Sequence, residues 1–200
     1  MLLAIEGIDG SGKGTQSGRL CETAAAKGYR AASFSFPLYD GNPFSRAIAD
    51  YLNGEFGAAD DVHPELAALL YAGDRFHARP RLVAALEEHD LVVCDRYVAS
   101  NAAHQGAKLE GAARRRLLDW LEEVEYGELG GRKAARGYTT LEADIHEADA
   151  GHSGATREVY LELARRDGWR VVSTADQDGI VRDVADVAAE VWSSVEPLLR

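Results

Sequence analysis

The residues with the clearest chemistry form a glycine-rich loop that follows the first apolar segment of the chain. Gly7, Gly12 and Lys13 have the spacing Gly-x4-Gly-Lys, typical of a loop whose backbone N–H groups surround phosphate oxygens while the lysine adds a positive charge. A helical pattern over residues 15–27 follows, so the positive end of a helix points at the same place. The loop predicts a polyphosphate nucleotide as ligand, and the alternative is an ordinary glycine turn.

The loop departs from the strict pattern at one position. A Ser or Thr that binds magnesium normally follows the lysine, but Gly14 stands there and Thr15 comes next. Loops of this kind resemble those of nucleoside monophosphate kinases such as adenylate kinase. We therefore expect Mg²⁺ to be held largely through water, carboxylates and substrate phosphates, with Thr15 as a candidate ligand. The candidate contacts to the donor nucleotide are Gly7, Asp9, Gly10, Ser11, Gly12, Lys13, Gly14, Thr15 and Gln16.

Length, charge and cysteine usage limit the class of protein. A chain of 200 residues with 46% hydrophobic content fits one domain, residues 1–200, with a real core. Its net charge of −11 argues against nucleic acid or an anionic membrane as partner, so an anionic ligand must be met by local clusters of Arg and Lys. Cys21 and Cys94 lack metal-ligand spacing. Without a signal peptide or a long apolar run, we expect a cytoplasmic protein.

Short apolar runs alternate with helical patterns along the chain. Strands are predicted over residues 2–5, 31–36, 91–94 and 169–173, and helices over residues 15–27, 45–52, 64–77, 81–88, 112–125, 157–166 and 181–199. Buried strands that alternate with helices favour an α/β fold: a three-layer, P-loop NTPase-like parallel sheet with helices on both faces. Ligands of such a sheet collect at the carboxyl ends of its strands.

Several further motifs together resemble one enzyme family. Residues 6–13 (EGIDGSGK), Phe36-Pro37, Asp74-Arg75 and residues 95–108 (DRYVASNAAHQGAK) closely resemble the thymidylate kinase family. The resemblance covers roughly the first 130 residues and is much more specific than the phosphate loop alone. It implies transfer of the γ-phosphoryl group of ATP to dTMP, which gives ADP and dTDP with Mg²⁺ in dTTP biosynthesis. It also implies a homodimer that pairs through helices beside the third strand.

The resemblance assigns an acceptor site. Arg75 and Arg96 match arginines that hold the monophosphate of dTMP, and guanidinium forks suit phosphate oxygens. Tyr71 matches an aromatic residue that stacks on thymine, and Phe36 resembles a wall of the base pocket. The alternatives are salt bridges with neighbouring aspartates for the arginines and plain core packing for the aromatic residues.

Four residues after the third strand complete the predicted acceptor site. Asn101 and Ser100 match positions that meet the base, where an amide can offer a donor and an acceptor to the imide edge of thymine. Helix capping is the alternative for both residues. His104 stands where an aromatic residue often lies near the sugar, which leaves the selection of deoxyribose open, and Gln105 is a weaker candidate for the same pocket.

The resemblance also implies a catalytic apparatus. Asp9 matches an acid near the acceptor sugar and the metal, and Asp95 matches one that orients Mg²⁺ through water; pairing with Lys13 or Arg96 is the alternative for Asp95. Because Gly10 replaces a loop arginine, the catalytic cation is expected from a lid around residues 132–150. The predicted catalytic residues are Asp9, Lys13, Arg96, Arg132 and Arg136.

One family strand is predicted to be missing after Gly131. No run of four apolar residues occurs from Tyr126 to Gly168, where the family has a buried strand between the first and last strands of its sheet. Its loss would leave a slot about 10 Å wide with unpaired backbone groups. Either the last strand moves beside the first, or the natural protein has residues that this sequence lacks. Two other functions stay open: a kinase for another monophosphate or a deoxynucleoside, and a nucleotide-binding relative without catalysis.

Overall fold

A single parallel sheet forms the centre of the molecule. The computed structural model describes residues 1–58, 61–134, 136–140 and 150–199. All the strand pairs of the sheet are parallel, and the order across it is β2-β3-β1-β4-β5. The strands are β1 (Leu2–Gly7), β2 (Ala31–Ser35), β3 (Leu91–Asp95), β4 (Arg136–Thr140) and β5 (Arg170–Val172). The predicted α/β fold with a parallel sheet is confirmed.

Helices cover both faces of this sheet. They are α1 (Lys13–Ala26), α2 (Pro43–Leu52), α3 (Pro64–Glu88), α4 (Val98–Gly106), α5 (Gly111–Glu122), α6 (Ala150–Asp167) and α7 (Val184–Val195). A π-helical turn, Glu123–Glu128, continues α5, and a 3₁₀ turn, Glu196–Leu198, ends α7. None of the described helices is both long and apolar enough to cross a membrane.

The alternation of side chains along the strands divides the core in two. Leu3 and Ile5 of β1 pack with residues of α1 and α7 on one face of the sheet. Leu2 and Ala4 point to the other face, where they pack with residues of α3 and the start of α4. Because β1 is buried on both faces, its first four residues, Leu2 to Ile5, are all apolar and do not alternate with polar residues.

Strand β4 corrects the prediction of a missing strand. Its backbone pairs with β1 in the register Leu3↔Arg136 to Gly7↔Thr140 and with β5 in the register Tyr138↔Arg170 to Thr140↔Val172. The slot between β1 and β5 is therefore filled, and β5 does not move beside β1. The physical reason is that the unpaired ladders of β1 and β5 outweigh the low hydrophobicity of the sequence Arg-Gly-Tyr-Thr-Thr.

The same register concerns part of the predicted lid. Arg136 pairs with Leu3, whereas Thr140, four positions later, pairs with Gly7 at the carboxyl edge of the sheet. Arg136 therefore lies about 13 Å from that edge along the strand. It belongs to the sheet by its backbone, and its assignment as a lid arginine stays a prediction. Residues 131–134, with Arg132, lead into β4 from its amino end. The rest of the predicted lid, residues 141–149, lies outside the described residues.

Two helices differ from their predicted form. The segments predicted as two helices, 64–77 and 81–88, form one helix that continues through Pro80. Helix α4 was not predicted, because its sequence Val-Ala-Ser-Asn-Ala-Ala-His-Gln-Gly has no apolar stripe of helical period. It is almost entirely buried between other elements, so that packing and not amphipathicity stabilises it.

A buried aspartate connects α3 to the loop after β2. Asp74 is 1% exposed; its Oδ2 accepts a hydrogen bond from the backbone N–H of Leu38 at 2.9 Å, and its Oδ1 accepts one from Nδ2 of Asn42 at 2.7 Å. Asn42 in turn caps α2, since its Oδ1 accepts from the N–H groups of Phe44 and Ser45 at 2.8 and 3.0 Å. One carboxylate thus positions a loop and a helix that border the site.

The packing of α2 on α3 leads to a stability prediction. A Cβ built on Gly73 would lie 2.3 Å from the ring of Phe44, whereas one on Gly18, in the exposed part of α1, meets nothing within 4 Å. Overpacking costs about 1–3 kcal/mol, which exceeds the gain of about 0.5–1 kcal/mol for Ala over Gly in a helix. We expect Gly73→Ala to lower the melting temperature and Gly18→Ala to leave it unchanged or raise it, as measured by calorimetry. Equal or higher stability of Gly73→Ala would show that the ring of Phe44 does not hold this helix contact.

Candidate active site

The phosphate loop places Lys13 at the start of α1. Gly12 adopts φ 81°, a left-handed conformation that glycine reaches without strain and that turns the chain into the helix. The Nζ of Lys13 donates to the carbonyl oxygen of Ile8 and lies 3.5 Å from the Oγ of Ser11, which itself donates to Ile8 at 2.8 Å. Burial and then the charge of Arg96 lower the pKa of Lys13 to about 8, although nearby carboxylates act in the opposite direction.

The other residues of the loop lie as the phosphate-loop pattern predicts. Gly7 ends β1 and Gly10 has φ 75° in the turn that precedes α1. Gln16 is buried and its Nε2 donates to the carbonyl oxygen of Val184 at 3.3 Å, which connects α1 to the start of α7. Thr15 is exposed beside the loop. The backbone geometry thus matches a phosphate-binding loop.

Arg96 stands directly after β3 with its guanidinium over the loop. Its φ of 64° is unusual for a residue with a side chain, and such strain of about 1–3 kcal/mol persists only where the surroundings impose it. Its Nη1 donates to the carbonyl oxygen of Gly7 at 3.2 Å and to the Oγ of Ser100 at 3.2 Å. The Nη2 forms an ion pair with Oδ1 of Asp9. The arginine is therefore held in place before any ligand binds.

Two carboxylates flank Lys13 and Arg96. Burial would raise the pKa of Asp9, but the charges of Arg96, His104 and Lys13 outweigh it and lower that pKa below its usual range. Burial raises the pKa of Asp95, against the opposing effect of Lys13 and Arg96. Asp9 is 65% exposed, so that a ligand can reach it.

The absence of a side chain at Gly14 leaves space beside the carboxylate of Asp95. A Cβ on Gly14 would lie 3.1 Å from Oδ2 of Asp95, so that glycine leaves open the place of the usual hydroxyl. No cluster of three His, Cys, Asp or Glu side chains occurs among the described residues. Asp9, Asp95 and Thr15 offer only hard oxygen ligands, and a cation here would keep water or phosphate oxygens, as Mg²⁺ prefers.

A cavity of about 920 Å³ opens beside Arg96. Its size is sufficient for a nucleotide, because sites for small molecules have volumes of about 300–1,000 Å³. It brings together every residue that was predicted to contact the acceptor. These residues are Asp9, Phe36, Tyr71, Arg75, Arg96, Ser100, Asn101, His104 and Gln105. Tyr97 and Lys108, which belong to the motif of residues 95–108 but were given no role, also line it, as do Tyr39 and Tyr51, to which no sequence motif pointed.

The two arginines of this cavity have different environments. Arg75 is buried in α3 and forms a salt bridge with Glu125, in which its Nε donates to Oε2 at 2.9 Å and its Nη2 donates to Oε1. Burial alone would lower the pKa of Arg75, but Glu125 more than offsets it and raises that pKa. Asn101 joins the pair, because its Nδ2 donates to Oε1 of Glu125 at 3.2 Å. Arg75 thus lies with the residues predicted to meet a base.

Arg96 contacts a buried hydrogen-bond network. Ser100 is within 2.7 Å of the hydroxyl of Tyr160 and donates to Oε2 of Glu6 at 2.6 Å. Burial raises the pKa of Glu6, although Ser100 and Arg96 act to lower it. The ring of His104 contacts Tyr160 edge-on at 6.3 Å between centroids, and its Nε2 lies 3.3 Å from Nη1 of Arg96. Ser100 therefore joins this network and does not cap α4.

The aromatic residues predicted for the base pocket occupy different depths. Phe36 is 3% exposed and packs against Tyr97 at 5.9 Å, so that most of it belongs to the core while one part lines the cavity. Tyr71 is half-buried in the cavity wall, and burial raises the pKa of its hydroxyl. Tyr71 is thus the more accessible of the two for stacking on a ring.

Sequence reasoning missed Glu125 and Tyr160. Both are buried on helical segments that were predicted only as amphipathic. Glu125 follows Leu121 by four positions and Leu118 by seven, which places a carboxylate on the apolar face of α5 and its continuation. That spacing is a usable signal. Tyr160 offers no comparable signal, since a tyrosine among Val159 and Leu163 fits ordinary core packing.

Comparisons with known proteins agree with the motifs. A sequence model of the family described as thymidylate kinase matches residues 5–126. The thymidylate kinase of Mycobacterium tuberculosis (strain CDC 1551 / Oshkosh) is 34% identical over 190 residues, which cover 84% of this chain and 87% of that protein. The thymidylate kinase of Synechococcus sp. (strain JA-3-3Ab) is 29% identical over 208 residues, which cover 100% of this chain and 97% of that protein.

A solved structure shows that the fold is shared as well. The thymidylate kinase from Candida albicans superimposes with a TM-score of 0.76 at 22% sequence identity, covering 98% of this chain and 91% of that one. The family match spans more than half of the chain and includes the phosphate loop, Arg75, Arg96 and Asn101. The chain therefore belongs to the thymidylate kinase family, as its motifs predicted, and phosphorylation of dTMP is the activity that this membership assigns to it.

Proposed function

We propose that the chain transfers the γ-phosphoryl group of ATP to the phosphate of dTMP, giving ADP and dTDP. The observation that carries this proposal is the position of Arg96, which reaches from the phosphate loop to the wall of the acceptor cavity. A phosphate at Arg96 would be adjacent both to Lys13 and to the nucleoside cavity. The family membership supplies the identity of the acceptor.

The donor is proposed to lie along the loop and the carboxyl edge of the sheet. Lys13 and the loop N–H groups would hold its phosphates. A second, more open cavity of about 690 Å³ follows β5, and Ser173, Asp176 and Arg182 are among its lining residues. Because β5 is parallel to β1, this cavity lies at the same edge of the sheet as the loop. It is the best candidate for the donor base.

The acceptor would lie with its phosphate at Arg96 and its base at the far end of the cavity. Tyr71 offers a ring face for stacking, and Asn101 with Arg75 offers polar atoms to the edge of the base. Arg75 was predicted to hold the monophosphate. Its salt bridge with Glu125 favours a role at the base instead, since most of its charge is already neutralised there.

Charge compensation and alignment account for the chemistry. The acceptor phosphate is already a nucleophile at neutral pH, so the protein needs to hold it in line with the donor. Lys13 and Arg96 would neutralise the charge that spreads over the transferred group. Asp9 and Asp95, with Thr15 as a further candidate, would hold Mg²⁺ through water, and the ion when bound would supply positive charge that screens the donor phosphates. Asp9 also keeps Arg96 in position.

We also propose a cytoplasmic location. Cys21 and Cys94 are both free thiols, which fits the reducing conditions of the cytoplasm.

The exposed face of α3 carries Leu66, Leu69 and Phe76, which are 61%, 42% and 48% exposed. These positions follow helical spacing on one face, and such apolar patches commonly mark contacts between proteins. A homodimer through α3 would cover them.

The proposed reaction is tested by ADP release across a substrate panel. We expect kcat/KM for dTMP to exceed those for dCMP, dGMP, AMP and thymidine by at least about tenfold, and Arg96→Met to lose about 10²–10³ in kcat/KM. The loss should be much smaller for Arg79→Met, which removes an arginine of α3 that does not line the cavity. Faster turnover of another acceptor, or tight binding of dTMP and ATP without turnover, would contradict the proposal.

The pKa of Lys13 predicts how ATP binding depends on pH. Phosphate binds the ammonium form, so binding raises the lysine pKa from about 8 and affinity is full only below that pH. We expect the Kd for ATP to rise about tenfold from about pH 7 to about pH 9, with proton uptake on binding, as measured by calorimetry in two buffers. In Lys13→Met the affinity should be weak at both pH values with no such rise. A wild-type Kd that does not change with pH would show that Lys13 does not lose its proton in this range.

The proposed dimer is tested by sedimentation. We expect the protein to sediment as a dimer and the double variant Leu69→Glu, Phe76→Glu to sediment as a monomer, because two charges per subunit cannot be buried in an apolar contact. Val181→Glu changes an apolar side chain outside α3 that is 77% exposed, and it should leave the dimer intact. A monomeric wild-type protein at micromolar concentration would refute the dimer.

A further inference from the structure

One buried carboxylate holds two of the side chains that line the acceptor cavity. Glu125, which is 3% exposed, accepts hydrogen bonds from Nε and Nη2 of Arg75 and, at 3.2 Å, from Nδ2 of Asn101. Arg75 and Asn101 both line the cavity, whereas Glu125 is not among the described residues that do. A single group behind the wall therefore determines which hydrogen-bonding atoms two wall residues can offer.

The contact fixes the orientation of the amide of Asn101. Its Nδ2 donates to Glu125 and also to the carbonyl oxygen of Ala68 at 3.0 Å. Both partners only accept hydrogen bonds, so the amide must turn its NH₂ group toward them. Its Oδ1 then has no hydrogen-bond partner in the part of the chain that the structure describes, although Asn101 is only 3% exposed. Asn101 is thus left with an acceptor to satisfy.

The same contact fixes what Arg75 can offer. Its Nε and Nη2 are both engaged by Glu125, which leaves the Nη1 group for a ligand. A guanidinium only donates hydrogen bonds. The polar part of the wall therefore combines a donor from Arg75 with an acceptor from Asn101. Thymine and uracil present the complementary pair, a carbonyl O4 beside N3–H, whereas cytosine presents an amino group beside an unprotonated N3.

We propose that Glu125 is a positioning residue that sets the preference of the acceptor site for a pyrimidine with an imide edge over cytosine. The inference rests on the proposed function, because it assumes that the pyrimidine base lies at Arg75 and Asn101. Without a carboxylate at position 125, the amide of Asn101 can turn over and offer its NH₂ to the cavity. The site would then accept either edge and lose its selectivity.

Glu125 lies within the π-helical turn Glu123–Glu128, whose backbone is held by a further contact. The turn adds a residue to the helical repeat after α5, and such irregularities often occur at functional sites. Its end is tied back, since the N–H of Gly131 donates to the carbonyl oxygen of Glu125 at 2.8 Å. A Cβ on Gly131 would lie 2.6 Å from that oxygen, so the approach requires glycine there. The backbone around Glu125 is therefore closely constrained.

Calorimetry with dTMP and dCMP tests the proposal without relying on turnover. We expect the ratio of the two Kd values to fall by at least about tenfold in Glu125→Gln, because a neutral amide no longer dictates the orientation of Asn101. Glu123→Gln, an exposed glutamate of the same turn, is the matched control and should keep the ratio of the wild-type protein. Where turnover is measurable, the change should appear in KM more than in kcat.

A second variant decides the outcome if Glu125→Gln does not fold. Glu125→Asp keeps the charge beside Arg75 but is one methylene shorter, so it cannot reach both partners, and its ratio should fall as well. Equal losses for dTMP and dCMP in either variant would indicate a purely structural ion pair and overturn the proposal. If the wild-type protein turns over neither substrate but its preference for dTMP in binding falls in the Glu125 variants, the proposed function is contradicted and the role of Glu125 is supported.

Discussion

An acidic protein has to place positively charged side chains where two negatively charged nucleotides meet. The net charge is −11, and the cationic groups of the site are nevertheless brought together at the carboxyl edge of the sheet. Each arginine of the cavity is accompanied by one carboxylate, Arg96 by Asp9 and Arg75 by Glu125. The carboxylates keep the guanidinium groups in place in the absence of ligand, so the site is preorganised for phosphate and base. The loop, strand ends and helices described above serve to place these two pairs.

The two pairs differ in burial, and this difference assigns their roles. Asp9 is 65% exposed, so a phosphate can approach Arg96 and replace part of the contact without leaving a buried charge alone. In the other pair both side chains are less than a tenth exposed, and removing one partner of such a pair costs about 3–5 kcal/mol. A substrate is therefore expected to exchange contacts at Arg96 and to add contacts at Arg75. This division is the basis of the proposal that phosphate chemistry occurs at one end of the cavity and recognition of the base at the other.

The sequence predicted the parts of this arrangement that local patterns determine. Short apolar runs indicated four of the five strands, the glycine loop indicated the turn into α1, and the motif after β3 supplied many of the residues that line the large cavity. Strand β4 could not be predicted from its own residues, because Arg136–Thr140 forms a strand only to satisfy the backbones of β1 and β5. Glu125 was missed because a glutamate in a charged stretch is normally solvated, although its spacing from Leu118 and Leu121 places it on the apolar face of the helix. The sequence predicted a break in α3 near Pro80, but the helix continues through this residue because packing overrides the local effect of proline.

The binding position of the acceptor phosphate is the central feature of the proposed site. A crystal structure with a bisubstrate analogue, in which adenosine and thymidine are joined by a polyphosphate chain, would locate both ends at once. We expect the phosphate chain to lie between Lys13 and Arg96, with the thymine ring against Tyr71 and its edge at Asn101. A phosphate bound at Arg75 with the Glu125 contact broken, or a thymine outside this cavity, would contradict this expectation.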